Sequence, residues 1–89
     1  ELAGLTRLQN LKLERTKVGD SGLKFIGGLK NLQWLDLANT EVTDKGLKEL
    51  TELKQLQRLL LYGTNVTKSG LIDLRKALPQ LHVVHPLLP

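Results

Sequence analysis

The chain has no cysteine and no methionine, three prolines, and one each of tryptophan, tyrosine and phenylalanine among its 89 residues. Without cysteine there is neither a disulfide framework nor a thiolate metal site, the devices that usually hold small domains together. With so few aromatics, the core cannot be built on rings. No apolar run approaches the roughly 18 residues that a membrane-spanning helix needs, and no leader of the secretory type opens the sequence. The lack of cysteine fits a reducing, cytoplasmic compartment. Charge is scattered: 13 basic and 9 acidic residues give a net +4 without any run of one sign, which excludes a polybasic tail. A chain this short makes one domain at most and buries only about two-thirds of its unfolded surface. Its stability must come from regular stacking of aliphatic side chains.

That regularity is present. Leu5, Leu29 and Leu53 are spaced by 24, and the same step relates Leu8, Leu32 and Leu56, then Leu11, Leu35 and Leu59, then Leu13, Leu37 and Leu61. Thr16, Thr40 and Thr64 keep the phase, as do Val18, Val42 and Val66, and Gly22, Gly46 and Gly70. Each unit reads LxxLxxLxLxxTxVxxxGLxxLxx. The L-x-L centre alternates with period two, which suits a short strand with its leucines turned inward. In the GLxxL tail, Leu47 and Leu50 lie on one stripe of a short helix. Asp44 or Thr43, Asp20 or Ser21, and Thr67 or Ser69 offer oxygen acceptors at the three helix starts. One strand and one helix cannot bury their apolar sides alone, whereas parallel stacking of such coils makes a continuous core.

The stretch LKNLQWLDLANTEVTDKGLKEL resembles a leucine-rich repeat, and its TDxGLxxL tail is similar to the cysteine-containing and bacterial branches. The resemblance covers nearly the whole chain. It implies an α/β right-handed leucine-rich-repeat solenoid, with parallel strands on the concave face and short helices on the convex face. It also implies a non-catalytic protein-interaction module of bacterial type, with a protein partner and no cofactor. Where the family often has Asn or Cys, this chain has Thr16, Thr40 and Thr64, whose hydroxyls can still satisfy turn backbone groups.

The repeat divides residues 1–89 into a tail of an upstream repeat (1–4), full repeats at 5–28, 29–52 and 53–77, and a partial, capping repeat at 78–89. Glu1 to Gly4 match Phe25 to Gly28, so the sequence is expected to open inside the helix of an earlier repeat, as the C-terminal part of a longer array. The first strand, near Asn10 to Glu14, is then expected to expose an edge. Leu78 follows Leu53 by 25, with the extra residue near Ala77, and this count puts Pro86 where Leu13, Leu37 and Leu61 sit. A proline there suits an array end.

Residues between the inward leucines are expected on the concave face. They are Asn10, Lys12 and Glu14, then Trp34, Asp36 and Ala38, then Arg58, Leu60 and Tyr62, and, by the count of 25, Val83, His85 and Leu87. Trp34, Asp36, Arg58, Leu60, Tyr62 and His85 are the candidate partner-binding residues, because clustered aromatics flanked by an arginine carry interface energy. The competing reading is internal: Arg58 stacks on the Trp34 indole one strand away, and Tyr62 leans over Ala38. Twelve positions fall short of the about 20–30 residues a side in a standard interface, so further repeats would share the work. Phe25 and Ile72 stand at exposed helix positions, either as lone surface residues or packed on a neighbouring element.

Other chemistry finds little footing. His82 and His85 should diverge and lack further ligands, so no metal site is expected. Ser21 and Ser69 have no histidine in their repeats, so a Ser-His-Asp arrangement has no support. The glycines recur with the repeat and fit no phosphate loop. Lys12 and Arg58 alternate with Glu14 and Asp36, which argues against nucleic acid as the partner. A structural spacer, or an accessory domain of a larger enzyme or receptor, is the alternative function.

Overall fold

The computed structural model describes residues 7–87. Four short strands alternate with three helices: β1 (Asn10–Lys12), α1 (Asp20–Ile26), β2 (Trp34–Asp36), α2 (Asp44–Leu47), β3 (Arg58–Leu60), α3 (Lys68–Ala77) and β4 (His82–Val84). A 3-10 helix, Lys48–Glu52, continues α2. The strands form one parallel sheet in the order β1-β2-β3-β4. Leu11 lies beside Leu35, Leu35 beside Leu59, and Leu59 beside Val83, so every coil advances by one 24-residue step. This is the α/β solenoid that the periodicity implies.

The inward column of the second and third coils is sealed: Leu35, Leu37, Leu59 and Leu61 are all at 0% exposure, and Leu32, Leu56, Leu50, Leu71 and Leu74 pack with them. The first coil is less covered. Leu8, Leu11, Leu13 and Val18 are only partly buried against the core. At the opposite end Leu78, Leu81 and Val83 are buried.

Each strand leaves through the same turn. Arg15, Asn39 and Gly63 have φ of 62, 59 and 73, the left-handed region. The next residue is the recurring threonine, whose Oγ1 donates to the carbonyl three residues back: Thr16 to Leu13 (2.7 Å), Thr40 to Leu37 (2.7 Å) and Thr64 to Leu61 (2.6 Å). The hydroxyl therefore closes its own coil, and the coils are tied to each other elsewhere.

Besides the backbone ladder of the sheet, aspartate side chains make such a tie. Asp20 Oδ1 accepts from the Thr43 N–H at 2.8 Å while Oδ2 accepts from the Thr43 hydroxyl at 2.5 Å. Asp44 treats Thr67 in the same way, at 2.8 and 2.5 Å. Thr43 and Thr67 are also the helix N-caps, accepting from Lys45 N and Gly70 N. The caps of α2 and α3 are thus the threonines, and the aspartates brace the following coil. In the first coil the expected Asp20 or Ser21 cap is not formed: the N-cap is Gly19, with no side-chain hydrogen bond.

Glycine at 46 and 70 follows from this brace, while a Cβ on Gly22 would meet the Val18 side chain instead. A Cβ on Gly46 would collide with the Asp20 carboxylate and sit 2.9 Å from Leu23 Cδ1, and one on Gly70 would collide with the Asp44 carboxylate. Alanine in a helix ordinarily gains up to about 1 kcal/mol over glycine. Overpacking of a fixed neighbour costs about 1–3 kcal/mol. Gly70→Ala is therefore expected to lower the thermal unfolding midpoint, against its helix propensity, and a circular-dichroism melt checks the sign.

Candidate interaction surface

Because the inward residues of β2, β3 and β4 are buried and Leu11 of β1 packs against the same core, the alternate ones form the opposite face of the sheet. Two rows of that face are fixed by strand pairing. Asn10, Trp34, Arg58 and His82 lie side by side, and so do Lys12, Asp36, Leu60 and Val84. A third row, Glu14, Ala38 and Tyr62, is carried by the hydrogen bonds from Arg15 N to Ala38 O (3.0 Å) and from Asn39 N to Tyr62 O (2.9 Å).

The six expected residues meet different fates. Arg58 is exposed, Tyr62 is 40% exposed, and Trp34 and Leu60 are half-buried. Those four share one surface across β2 and β3. Asp36 is on the same face but only 5% exposed, and its Oδ1 accepts from Ala38 N at 3.0 Å. That bond locks the strand exit. Arg58 is not the cation over the indole. Lys12 is, with Nζ 5.7 Å from the Trp34 ring centroid, at a distance where such a contact contributes about 0.5–1 kcal/mol.

His85 is the misplaced one, together with Val83 and Leu87. The count of 25 put all three on the concave face, but β4 pairs with β3 at a step of 24. The residue gained in α3 is lost again between Leu81 and Val83, where Leu56 and Leu59 have two residues between them and Leu81 and Val83 have one. Val83 consequently enters the core column at 7% exposure. His85 falls on the inward phase, half-buried, and its Nδ1 accepts from Leu87 N at 3.1 Å. Pro86 does not occupy the place of Leu61, since the ladder closes on the bond from Leu61 N to Val84 O (3.0 Å) and Pro86 lies in the exposed turn beyond it. The fourth strand gives the face His82 and Val84 instead. The polar-apolar step His82-Val83 carried that signal, because a strand with a buried side needs its apolar residue in phase with Leu59.

The face carries exposed cations, Lys12 and Arg58, beside His82, Leu60, Val84 and the two rings. Among the described residues no three His, Cys, Asp or Glu side chains gather as a metal-holding group, and no helix is long and apolar enough to cross a membrane.

A parallel one-sided sheet of identical coils, backed by short helices, is the leucine-rich-repeat solenoid, and this chain folds as one. Among solved structures it is similar to an internalin C2 from Listeria monocytogenes, with 33% identity over 94% of this chain and a TM-score of 0.76. It is also similar to a leucine-rich-repeat protein of Leptospira interrogans, with 28% identity over 86% of the chain and a TM-score of 0.63. The chain spans 34% of the first structure and 25% of the second. No family model and no curated protein matches it. Solenoids of this class present extended concave surfaces and serve in general as protein-interaction modules.

Proposed function

We propose that the chain is a non-catalytic protein-interaction module that seats its partner on the concave face, around Trp34, Leu60 and Tyr62. One observation carries this reading: on a sheet whose inward leucines are sealed in the second and third coils, those coils still leave two rings and a leucine accessible on the outward side, beside the exposed Arg58. Aromatic and aliphatic anchors ringed by charge concentrate binding energy in interfaces. The Listeria and Leptospira structures are both bacterial, which supports a bacterial repeat protein. The partly open leucines of the first coil support a stack in which another coil covers that end.

The test is titration calorimetry of the partner isolated from the source cell. Tyr62→Ala and Trp34→Ala are each expected to weaken binding by about 2 kcal/mol, some thirtyfold. A control pair on the lateral surface, Lys17→Ala with Glu41→Ala, should bind like the wild type. Tyr62→Ala is the cleaner variant because Trp34 also holds the Lys12 contact. Unchanged affinity in both would remove the concave face as the binding site and favour a spacer. Retention on a polyanion column that falls steeply with salt would instead point to nucleic acid.

A further inference from the structure

The fold draws its carboxylates inward and leaves its cations outside. All 13 lysines and arginines are exposed, whereas of the described acidic residues only Glu41, Glu52 and Asp73 are. Lysine and arginine lie outside in most proteins, but so do aspartate and glutamate. Here Asp20 and Asp44 are half-buried in the brace, and Asp36 is buried at the strand exit. The three exposed carboxylates all stand off the concave face. Glu41 is in the turn after β2, Glu52 ends the 3-10 helix, and Asp73 is on α3.

On the concave face this leaves an uneven set. Lys12 and Arg58 are exposed, while Asp36 is buried and Glu14 is half-buried. Arg58 stands on its row between Trp34 and His82, neither of which carries negative charge. Leu60 lies two residues along the same strand on the same side, and neighbouring strands are about 4.8 Å apart. A segment that covers Trp34, Leu60 and Tyr62 therefore covers Arg58 as well. A guanidinium has five N–H donors and no acceptor. Stripped of water without an anion beside it, it destabilises the complex. Among the described residues the face has no fully exposed carboxylate to answer it, so the anion must come from the partner.

We propose that the protein segment seated on the concave face is acidic, with an aliphatic or aromatic side chain against Trp34, Leu60 and Tyr62 and a carboxylate on the Arg58 guanidinium. The planar fork of arginine matches a carboxylate through two parallel N–H···O bonds. Lys12, held over the Trp34 ring, supplies a second positive charge from the strand on the other side of Trp34. The assignment rests on the concave-face reading and adds the partner's charge to it. A polynucleotide would need a stripe of positive charge along its backbone, whereas here two cations border an aliphatic and aromatic centre.

A display library of random peptides, selected on the immobilised chain, tests this with probes of known composition. The enriched peptides are expected to carry aspartate or glutamate beside a large aliphatic or aromatic residue. They should bind Arg58→Glu at least about tenfold more weakly, because like charges then face each other. Arg58→Lys should fall between, since it keeps the charge and loses the fork. The same reversal on the helical side, Lys45→Glu, should stay within about twofold of the wild type, because it lies beyond screened range of the site. Circular dichroism confirms that each variant is folded. Enriched peptides with no acidic excess, whose binding still falls with Tyr62→Ala, overturn the acidic partner and leave the concave-face reading standing. Acidic peptides that tolerate both Tyr62→Ala and Arg58→Glu overturn both. A loss with Lys45→Glu as large as with Arg58→Glu overturns the proposal in favour of net charge alone. A library that yields no enriched peptide, with a short oligothymidylate bound instead, overturns it in favour of nucleic acid.

Discussion

Leu37→Ala is expected to remove most or all of the stability of this chain. The side chain is at 0% exposure in the central column between Leu13 and Leu61, and its backbone N–H joins β2 to β3 through Leu60 O at 2.9 Å. Deleting its branched end leaves a cavity bounded by two other coils, at about 2–5 kcal/mol. Small domains have only about 5–15 kcal/mol in total, and a chain of this length lies near the lower end. Because each coil contacts only its neighbours, losing the middle one leaves two fragments that cannot stand alone. Urea unfolding followed by Trp34 fluorescence and by far-ultraviolet circular dichroism should show both midpoints falling together. Leu13→Ala, at a partly buried site in the same column, should be clearly milder. Equal losses at the two sites would contradict the burial gradient along the stack.

The second large effect is expected at the brace. Asp20→Ala takes away two hydrogen bonds to Thr43 in a partly buried setting and leaves the Thr43 N–H at the start of α2 without its acceptor. Bonds to a charged acceptor contribute about 1.5–3 kcal/mol each when buried, and partial access of water reduces that, so a loss of about 2 kcal/mol is anticipated. The variant also removes the negative charge from the first turn of α1, a favourable position next to the helix's positive end. Asp20→Asn should fall between, since the amide oxygen still accepts from Thr43 N while its nitrogen cannot accept from the hydroxyl. Denaturant midpoints of the three proteins in the order wild type, Asn, Ala check this. An asparagine variant as weak as the alanine one would mean that the charge, and not the geometry, ties the coils.

The architecture was legible because the leucine positions recur three times and each class of position has one physical meaning. Leu11, Leu35 and Leu59 share a column since a period of two inside a period of 24 allows no other inward set. The aspartates were harder to read. Asp44 beside Thr43 looks like a choice between two caps for one helix, and only three dimensions show that the threonine caps while the aspartate reaches the next coil. The same brace explains glycine at 46 and 70, where periodicity alone suggests only a packing position. On the concave side, Trp34, Arg58, Leu60 and Tyr62 were placed by counting. The count failed in the last coil because a gain within α3 and a loss before Val83 cancel, and neither shows as a broken leucine until β4 is paired. The cation over Trp34 could not be chosen from sequence, since Lys12 on one side and Arg58 on the other are each within reach of the indole.

Which side chains line the core and which face outward is decided by the 24-residue step holding through all four strands. Methyl nuclear Overhauser contacts in a leucine- and valine-labelled sample measure it directly. Cross-peaks are predicted along the chain Leu11 to Leu35, Leu35 to Leu59 and Leu59 to Val83. A dominant Leu59 to Val84 contact without one to Val83, or no contact between Leu35 and Leu59, would contradict it and redraw the interaction surface.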